Sequence, residues 1–232
     1  MKNIIVIIIL ALTIYSCNSV ENVQHSNEEI EYFEGEIYYT RYYESIKVNL
    51  KPEQINNIAG ARMVLTFKEG SHRKDFYSTN DTIISQRYLN LKEGVSFSVK
   101  PHEDTILWFD ITEKDSKTTF KRRSDTIIDE QDCISLTLKT LTPDPWNNGG
   151  VMVINSEYFF AKKIIVNPKW FQHYYEGNYN EMINATNSLA IEKVENGPYW
   201  TTITKCDSIV WRKVNKSEIS TEFLKARPRQ KL

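Results

Sequence analysis

The chain lacks an excess of either charge, is sparing with cysteine, glycine and proline, and has only one long apolar run. Lys and Arg number 29 against 30 Asp and Glu, so nothing in the balance favours a polyanion and nucleic acid is not an expected partner. The four histidines, His25, His72, His102 and His173, stand far apart, with no two at helical or hairpin metal-ligand spacing. No glycine-rich phosphate loop and no nucleophile elbow occurs, so the sequence carries no cofactor motif, no metal motif and no catalytic set. The densest titratable cluster, His102-Glu103-Asp104, follows Pro101 between two strand patterns and reads as a solvated turn. Eight glycines and seven prolines leave few breaks, while thirteen tyrosines and ten phenylalanines suit β-strands rather than a disordered chain.

What is there begins with Met1 to Cys17, MKNIIVIIILALTIYSC: one basic residue, Lys2, an apolar run, then Ser16 directly before Cys17. A run from Ile4 to Tyr15 falls short of the roughly 20 residues of a membrane span and has the length of a signal-peptide core. Ile14, Tyr15 and Ser16 leading into Cys17 resemble the lipobox of bacterial lipoproteins, although Tyr15 is bulkier than that pattern prefers. The resemblance implies an exported protein whose Cys17 sulfur carries a diacylglycerol thioether, so that acyl chains are its membrane partner. A plain signal-peptidase cut near Cys17 is the alternative. The residues after Cys17, NSVENVQHSNEEIE, are polar and acidic without apolar period and read as a spacer that includes His25. The expected division is a signal peptide over 1–16, a lipidated flexible stalk over 17–30, a single β domain over 31–224 and a basic C-terminal tail over 225–232.

From Tyr32 the period becomes two, with Phe33, Ile37 and Tyr39 on one face. Ile46, Leu50, Ile55 and Ile58 lose that alternation, and Pro52 suits the first turn of a short helix. Strand patterns follow at 62–68, 73–78, 82–91, 95–100, 105–111, 118–122, 125–130 and 133–140, each bounded by turn residues, the signature of an antiparallel meander. In 95–100, Val95, Phe97 and Val99 alternate with Ser96, Ser98 and Lys100. In 105–111 both faces are apolar, Ile106 and Trp108 against Leu107, Phe109 and Ile111, so that strand should be covered on both sides. The residues 141–150, LTPDPWNNGG, predict a long exposed loop around Trp146. Two strands at 151–160 and 162–166, a short helix opened by Asn167-Pro168 that carries Trp170 and Phe171 inward, and a hairpin of 189–195 with 199–214, the longest strand pattern, complete the reading. The tail with Lys225, Arg227, Arg229 and Lys231 is expected to be solvated or to touch acidic lipid heads.

This order of elements resembles the outer-membrane lipoprotein-sorting (LolA/LolB-like) superfamily, including its Bacteroidota-type branch. The residues that carry the resemblance are the opening strand Phe33-Glu34-Gly35-Glu36-Ile37-Tyr38, the turn and basic strand start after Gly70, and Cys133 entering a strand. Asn167-Pro168, Gly177 and Leu189-Ala190-Ile191-Glu192 extend it. It implies a mainly β fold: a single curved antiparallel sheet, a half-barrel, with a few short helices on its concave side and an apolar cavity able to take acyl chains. On that basis the expected function is a lipid-anchored protein of the cell envelope, at the outer membrane, that binds a hydrophobic or lipid-like ligand and does not catalyse. Trp108, Phe109, Trp146 and Trp170 are the candidate ligand-binding residues. An envelope protein-interaction or structural module with a protein partner is the alternative, and a hydrolase assembled from distant carboxylates and histidines is the third reading. Cys133 and Cys206 would either form one disulfide, stabilising by about 4 kcal/mol in the chain-entropy model, or remain two free thiols.

Overall fold

The computed structural model describes residues 30–47, 49–113, 117–144, 147 and 149–231, so Cys17, the signal segment, the stalk and Trp146 lie outside the described residues. Tyr32–Leu232 forms one compact unit. Its first half is the meander expected from the alternation: β1 (Gly35–Ser45), β2 (Arg62–Lys68), β3 (Ser71–Tyr77), β4 (Ile83–Asn90), β5 (Val95–Val99) and β6 (Ile106–Asp110), each antiparallel to the next. The β2–β3 turn is Glu69-Gly70, with φ of +49° and +83°, the double left-handed geometry whose twist matches that of the strands it joins. Between β1 and β2 lies helix α1 (Pro52–Ala59). Pro52 needs no hydrogen bond at a helix start, Lys51 N–H donates to Gln54 Oε1 at 2.8 Å, and Ile55 is the buried contact.

The second half is built from β7 (Thr118–Arg122), β8 (Thr126–Ile128), β9 (Gln131–Pro143), β10 (Val151–Ile165), β11 (Ser188–Asn196) and β12 (Trp200–Trp211). Strand β12 pairs with β11 on one side and with β1 on the other, which joins the halves into one sheet. That sheet has 13 strands and is open and curved, as the half-barrel expectation had it. Three local expectations change. Residues 151–160 and 162–166 are one strand of 15 residues, β10. Its breaks in alternation are register shifts against β11 at Phe159/Phe160 and beyond Phe160, which turn the strand without ending it. That makes β10 longer than β12, which stops at Trp211 with 12 residues. Strand β9 continues to Pro143, because Leu141 and Thr142 find partners in Val153 and Met152.

The two faces of the sheet are covered differently. On the inner, concave face a 3-10 turn over Pro168–Phe171 and helix α2 (Tyr179–Thr186) close one end. The turn starts where expected, with the Asn167 side chain accepting from Lys169 N–H at 3.0 Å. Phe171, Met182 and Ile183 bury themselves against Phe33, Ile37, Leu65, Phe67, Leu136 and Phe160, the main core.

The outer face of the first half is crossed by the chain's last segment. Lys68 Nζ donates to the Val214 carbonyl at 2.9 Å, Arg73 Nη1 to the Glu218 carbonyl at 2.7 Å, and Asn90 Nδ2 to Thr221 Oγ1 at 2.9 Å. Leu224 then joins Tyr88, Phe97, Val99 and Ile106 in a second small core. Residues 225–231 stay largely exposed, as a solvated end would, yet they are docked along the sheet. Arg227 donates to the backbone of Glu103 and Asp104, and β13 (Arg229–Lys231) pairs in parallel with β6. Arg229 lies over Phe97 at 5.4 Å and Lys231 over Trp108 at 5.6 Å. The second apolar face of β6 is accounted for by this strap.

The strap is tied at its root by Arg212, which reaches Glu36 at 2.7 Å and Glu218 at 2.6 Å. The Arg212 guanidinium, with the backbone N–H of Asn215, holds the Glu218 carboxyl down at about 2. A carboxyl depressed on folding contributes stability above its ordinary value of 4.5 and loses it as pH falls towards about 2. Acid unfolding should therefore steepen across that window, and Glu218→Gln should flatten the limb while leaving pH 8 stability lower. A denaturation series by circular dichroism from pH 8 to 2 reads both; unchanged limbs in the variant would remove Glu218 from the account.

Candidate functional site

Between the two halves the inner face encloses a cavity of about 540 Å³, within the range of roughly 300–1,000 Å³ typical of small-molecule sites. Strand register orders its walls. Phe67 pairs with His72 and Leu65 with Lys74 across β2 and β3; Lys74 in turn faces Arg87, and His72 faces Leu89, across β3 and β4. On the other wall Phe160 pairs with Ile134, Tyr158 with Leu136 and Ser156 with Leu138, while Tyr158 faces Lys193 and Ser156 faces Glu195. Moving along the strands away from α2, charged residues follow apolar ones on both walls, and on the first wall Met63 and Phe76 come next beyond Lys74. The floor is Phe67, Phe160, Met182 and Leu189, and the middle is Leu65, Leu138 and Met63. Its charged lining residues include Arg41, Lys74, Arg87, Lys193 and Glu195.

The tyrosines bridge these regions. Tyr179 lies 5.5 Å from Phe171 and 4.8 Å from Tyr174, centroid to centroid, and burial pushes the phenols of both Tyr174 and Tyr179 up. They are neutral hydrogen-bonding groups on an apolar wall. His72 stacks on Phe67 at 6.4 Å, and burial, helped by the nearby Lys74 charge, holds its imidazole well below its ordinary value. A neutral histidine packed on phenylalanine is a wall residue.

The cations are held in unlike ways. Arg41 donates to the carbonyls of Ala59 and Gly60 at the end of α1 and lies 5.2 Å from the Tyr43 and Phe76 rings. Lys193 is ion-paired with Glu195 and lies over Tyr158 at 5.0 Å. Burial works against its charge, yet Tyr158 and Glu195 outweigh that and raise it. Lys74 is the exception: burial first, then the charges of Arg87, Lys193 and Arg41, bring its ammonium down to about 8, with Glu176 as the opposing influence.

No model of a known protein family and no curated protein matches this sequence. Solved structures do resemble it in fold. LprF from Mycobacterium bovis aligns over 80% of this chain and 90% of its own at 7% identity, TM-score 0.32. The lipoprotein LppX of Mycobacterium tuberculosis aligns over 78% and 88% at 8% identity, TM-score 0.34. An outer membrane lipoprotein-sorting protein domain from Vibrio parahaemolyticus aligns over 82% and 91% at 10% identity, TM-score 0.35. At these values the likeness carries no functional argument, and the reading below rests on the cavity.

Of the four aromatic residues singled out from sequence, Phe109 lines the cavity. Trp108 does not: it points to the opposite face of β6, against the second core and under Lys231, because neighbouring strand residues alternate faces. Trp170 packs against Phe67 at 6.2 Å and Tyr32 at 5.3 Å and borders a separate groove of about 520 Å³ with Leu91, Lys216 and Thr221. Cys133 and Cys206 are free thiols. They sit on β9 and β12, with β10 and β11 between them, three strand spacings or about 14 Å along the sheet, twice the reach of a disulfide. Among the described residues no three His, Cys, Asp or Glu side chains gather into a metal-holding group. The groups that sequence reasoning missed are Lys74, Arg87, Tyr158, Tyr174 and Lys193. The available signal was parity: Lys74 and Phe76 alternate with Arg73 and Asp75, on the face that register aligns with Leu65 and Met63.

Proposed function

We propose that this protein is an exported envelope lipoprotein, anchored through acyl chains on Cys17, which binds a hydrophobic or lipid-like ligand in the cavity and performs no catalysis on it. The observation that carries the reading is the cavity of about 540 Å³ itself, onto which the half-buried Met63, Phe76, Phe109 and Ile154 open above a packed apolar core. Transfer of an apolar chain into such space gains about 25 cal/mol per Å² of surface removed from water. Anchoring follows from the lipobox resemblance around Cys17, since two or three acyl chains, each methylene contributing about 0.8 kcal/mol, hold a protein at a bilayer.

The full chain carrying Cys17→Ser should bind the uncharged probe N-phenyl-1-naphthylamine with saturable, near-stoichiometric fluorescence enhancement. Leu138→Trp, which places an indole in the middle of the cavity, should reduce that binding at least about tenfold while near-UV circular dichroism shows the fold kept. Equal binding by both chains, or none by either, would overturn the cavity reading and favour a protein partner instead. The anchoring half is tested by fractionation: Cys17→Ser should leave the membrane fraction or stay unprocessed, and a fully processed, membrane-bound variant would refute it.

A further inference from the structure

We infer that the ligand is an anionic amphiphile, a molecule with one apolar tail and a carboxylate- or phosphate-type head, whose head is seated by Lys74 on the cavity wall with Arg87 beside it. The inference rests on the proposed cavity binding and adds the head-group chemistry to it. Three observations carry it. Lys74 and Arg87 are direct cross-strand neighbours on β3 and β4, and like charges placed so are destabilising. No salt bridge relieves them: among the described residues no carboxylate stands within salt-bridge distance of either side chain, Arg87 having the Phe76 ring at 5.8 Å and Lys74 only the more distant influence of Glu176, whereas Lys193 has Glu195 and Arg41 has the carbonyls at the end of α1. The pair also stands one register step from the apolar floor: Leu65 is next to Lys74, with Phe67, Phe160 and Met182 on the α2 side of it and Met63 with Phe76 on the other, so a head at Lys74 directs a tail onto apolar lining.

Glu176 also lines the cavity. Its hydrogen bond from Tyr174 Oη at 3.3 Å and its exposed position leave it a counter-charge acting from the rim rather than a salt-bridge partner of Lys74. Burial and then the surrounding cations weaken the Lys74 ammonium; an anionic head offsets the repulsion of those cations. An ion pair formed in a half-buried site of this kind is stronger than the same pair in water.

The test uses the full chain with Cys17→Ser and two probes of one shape, the fluorescent fatty acid cis-parinaric acid and its methyl ester. The acid should bind about tenfold or more tightly than the ester. Lys74→Met should erase that preference while ester binding is kept, and Lys74→Arg should restore it. The methionine variant removes a weakened buried charge, so it should fold at least as well as the parent. Octyl phosphate should displace the acid at concentrations where inorganic phosphate does not. Equal affinity for acid and ester in the parent chain, or a preference that survives Lys74→Met, would overturn the head-group inference while leaving the hydrophobic cavity standing. Displacement by inorganic phosphate as effective as that by octyl phosphate would make the site one for a free oxyanion and overturn the amphiphile. Failure of both probes to bind would remove the cavity reading itself, and this inference with it.

Discussion

Gly35→Ala should cost this fold more than about 3 kcal/mol, the range reserved for changes with a specific steric cause. Gly35 opens β1 and pairs with Phe67 of β2 and Trp211 of β12, at the end of the seam that joins the two halves. Its φ is +152°, and a Cβ there would stand 2.0 Å from the Val210 carbonyl oxygen and 3.2 Å from the Arg212 nitrogen. Both obstacles are backbone, so no rotamer change relieves them; β12 would have to move off β1 beside the Arg212 ties. For a chain of this size each kcal/mol lowers Tm by about 2–4 °C, so a fall of roughly 6–12 °C or more is expected by circular dichroism. Gly177→Ala is the control. Gly177 has φ +60° and nothing within 4 Å of a built Cβ, so only the left-handed penalty of about 1–2 kcal/mol applies. If the two variants melt alike, backbone conformation alone explains Gly35 and the close approach to Val210 does not matter.

Phe67→Ala should have the next largest effect and a second signature that a purely structural residue would not show. Phe67 is fully buried, stacked with Phe33 at 5.9 Å and Phe171 at 6.3 Å, while one side of its ring lines the cavity. Truncating a buried phenylalanine costs about 3–5 kcal/mol, the spread set by how far the site collapses. Here the turn carrying Phe171 is the element free to follow, so the cost should fall towards the lower end if that turn sinks and the upper end if it stays. The space released is continuous with the cavity floor. A neutral apolar probe should therefore raise the Tm of Phe67→Ala more than that of the parent chain, in proportion to the logarithm of probe over Kd. Equal destabilisation without any gain in probe-dependent stabilisation would place Phe67 in the core and out of the site.

How far such residues could be found without coordinates depended on how local their cause was. The strands Arg62–Lys68 and Thr118–Arg122 have the boundaries that alternation and turn residues assign, because a half-buried strand writes its period into a handful of consecutive positions. The helix start at Pro52 and the cap at Asn167 were legible for the same reason. What alternation does not tell is which face is inner. On β5 the apolar set Val95, Phe97 and Val99 lies on the outer face, under Leu224, while Ser96 lines the cavity. An apolar face therefore pointed away from the site, and Trp108 was misassigned by the same logic. The strap that reverses it comes from residues more than a hundred positions away, and its lysines and arginines look like solvated ends until they are seen over Phe97 and Trp108. The cavity cations were hidden in another way. Lys74 sits in His72-Arg73-Lys74-Asp75, an ordinary charged stretch in sequence, and only the sheet's curvature sets alternate members of it inside.

The pairing of β1 with β12 also dictates an order of assembly. Strands β1 to β6 are neighbours in sequence and can zip from local turns, as can β9 to β12, but the seam between them joins residues such as Tyr39 and Cys206, the kind of distant closure that slows folding. The first half is synthesised long before its partner strand exists, and the strap that shields its outer face follows that strand. Until then β1 has an open edge and Tyr88, Phe97 and Ile106 have no cover, so the nascent half exposes surfaces that invite association with other chains. Pairing of β12 with β1 brings the two walls of the cavity together, and docking of the strap then covers Tyr88, Phe97 and Ile106 and ends the aggregation-prone interval.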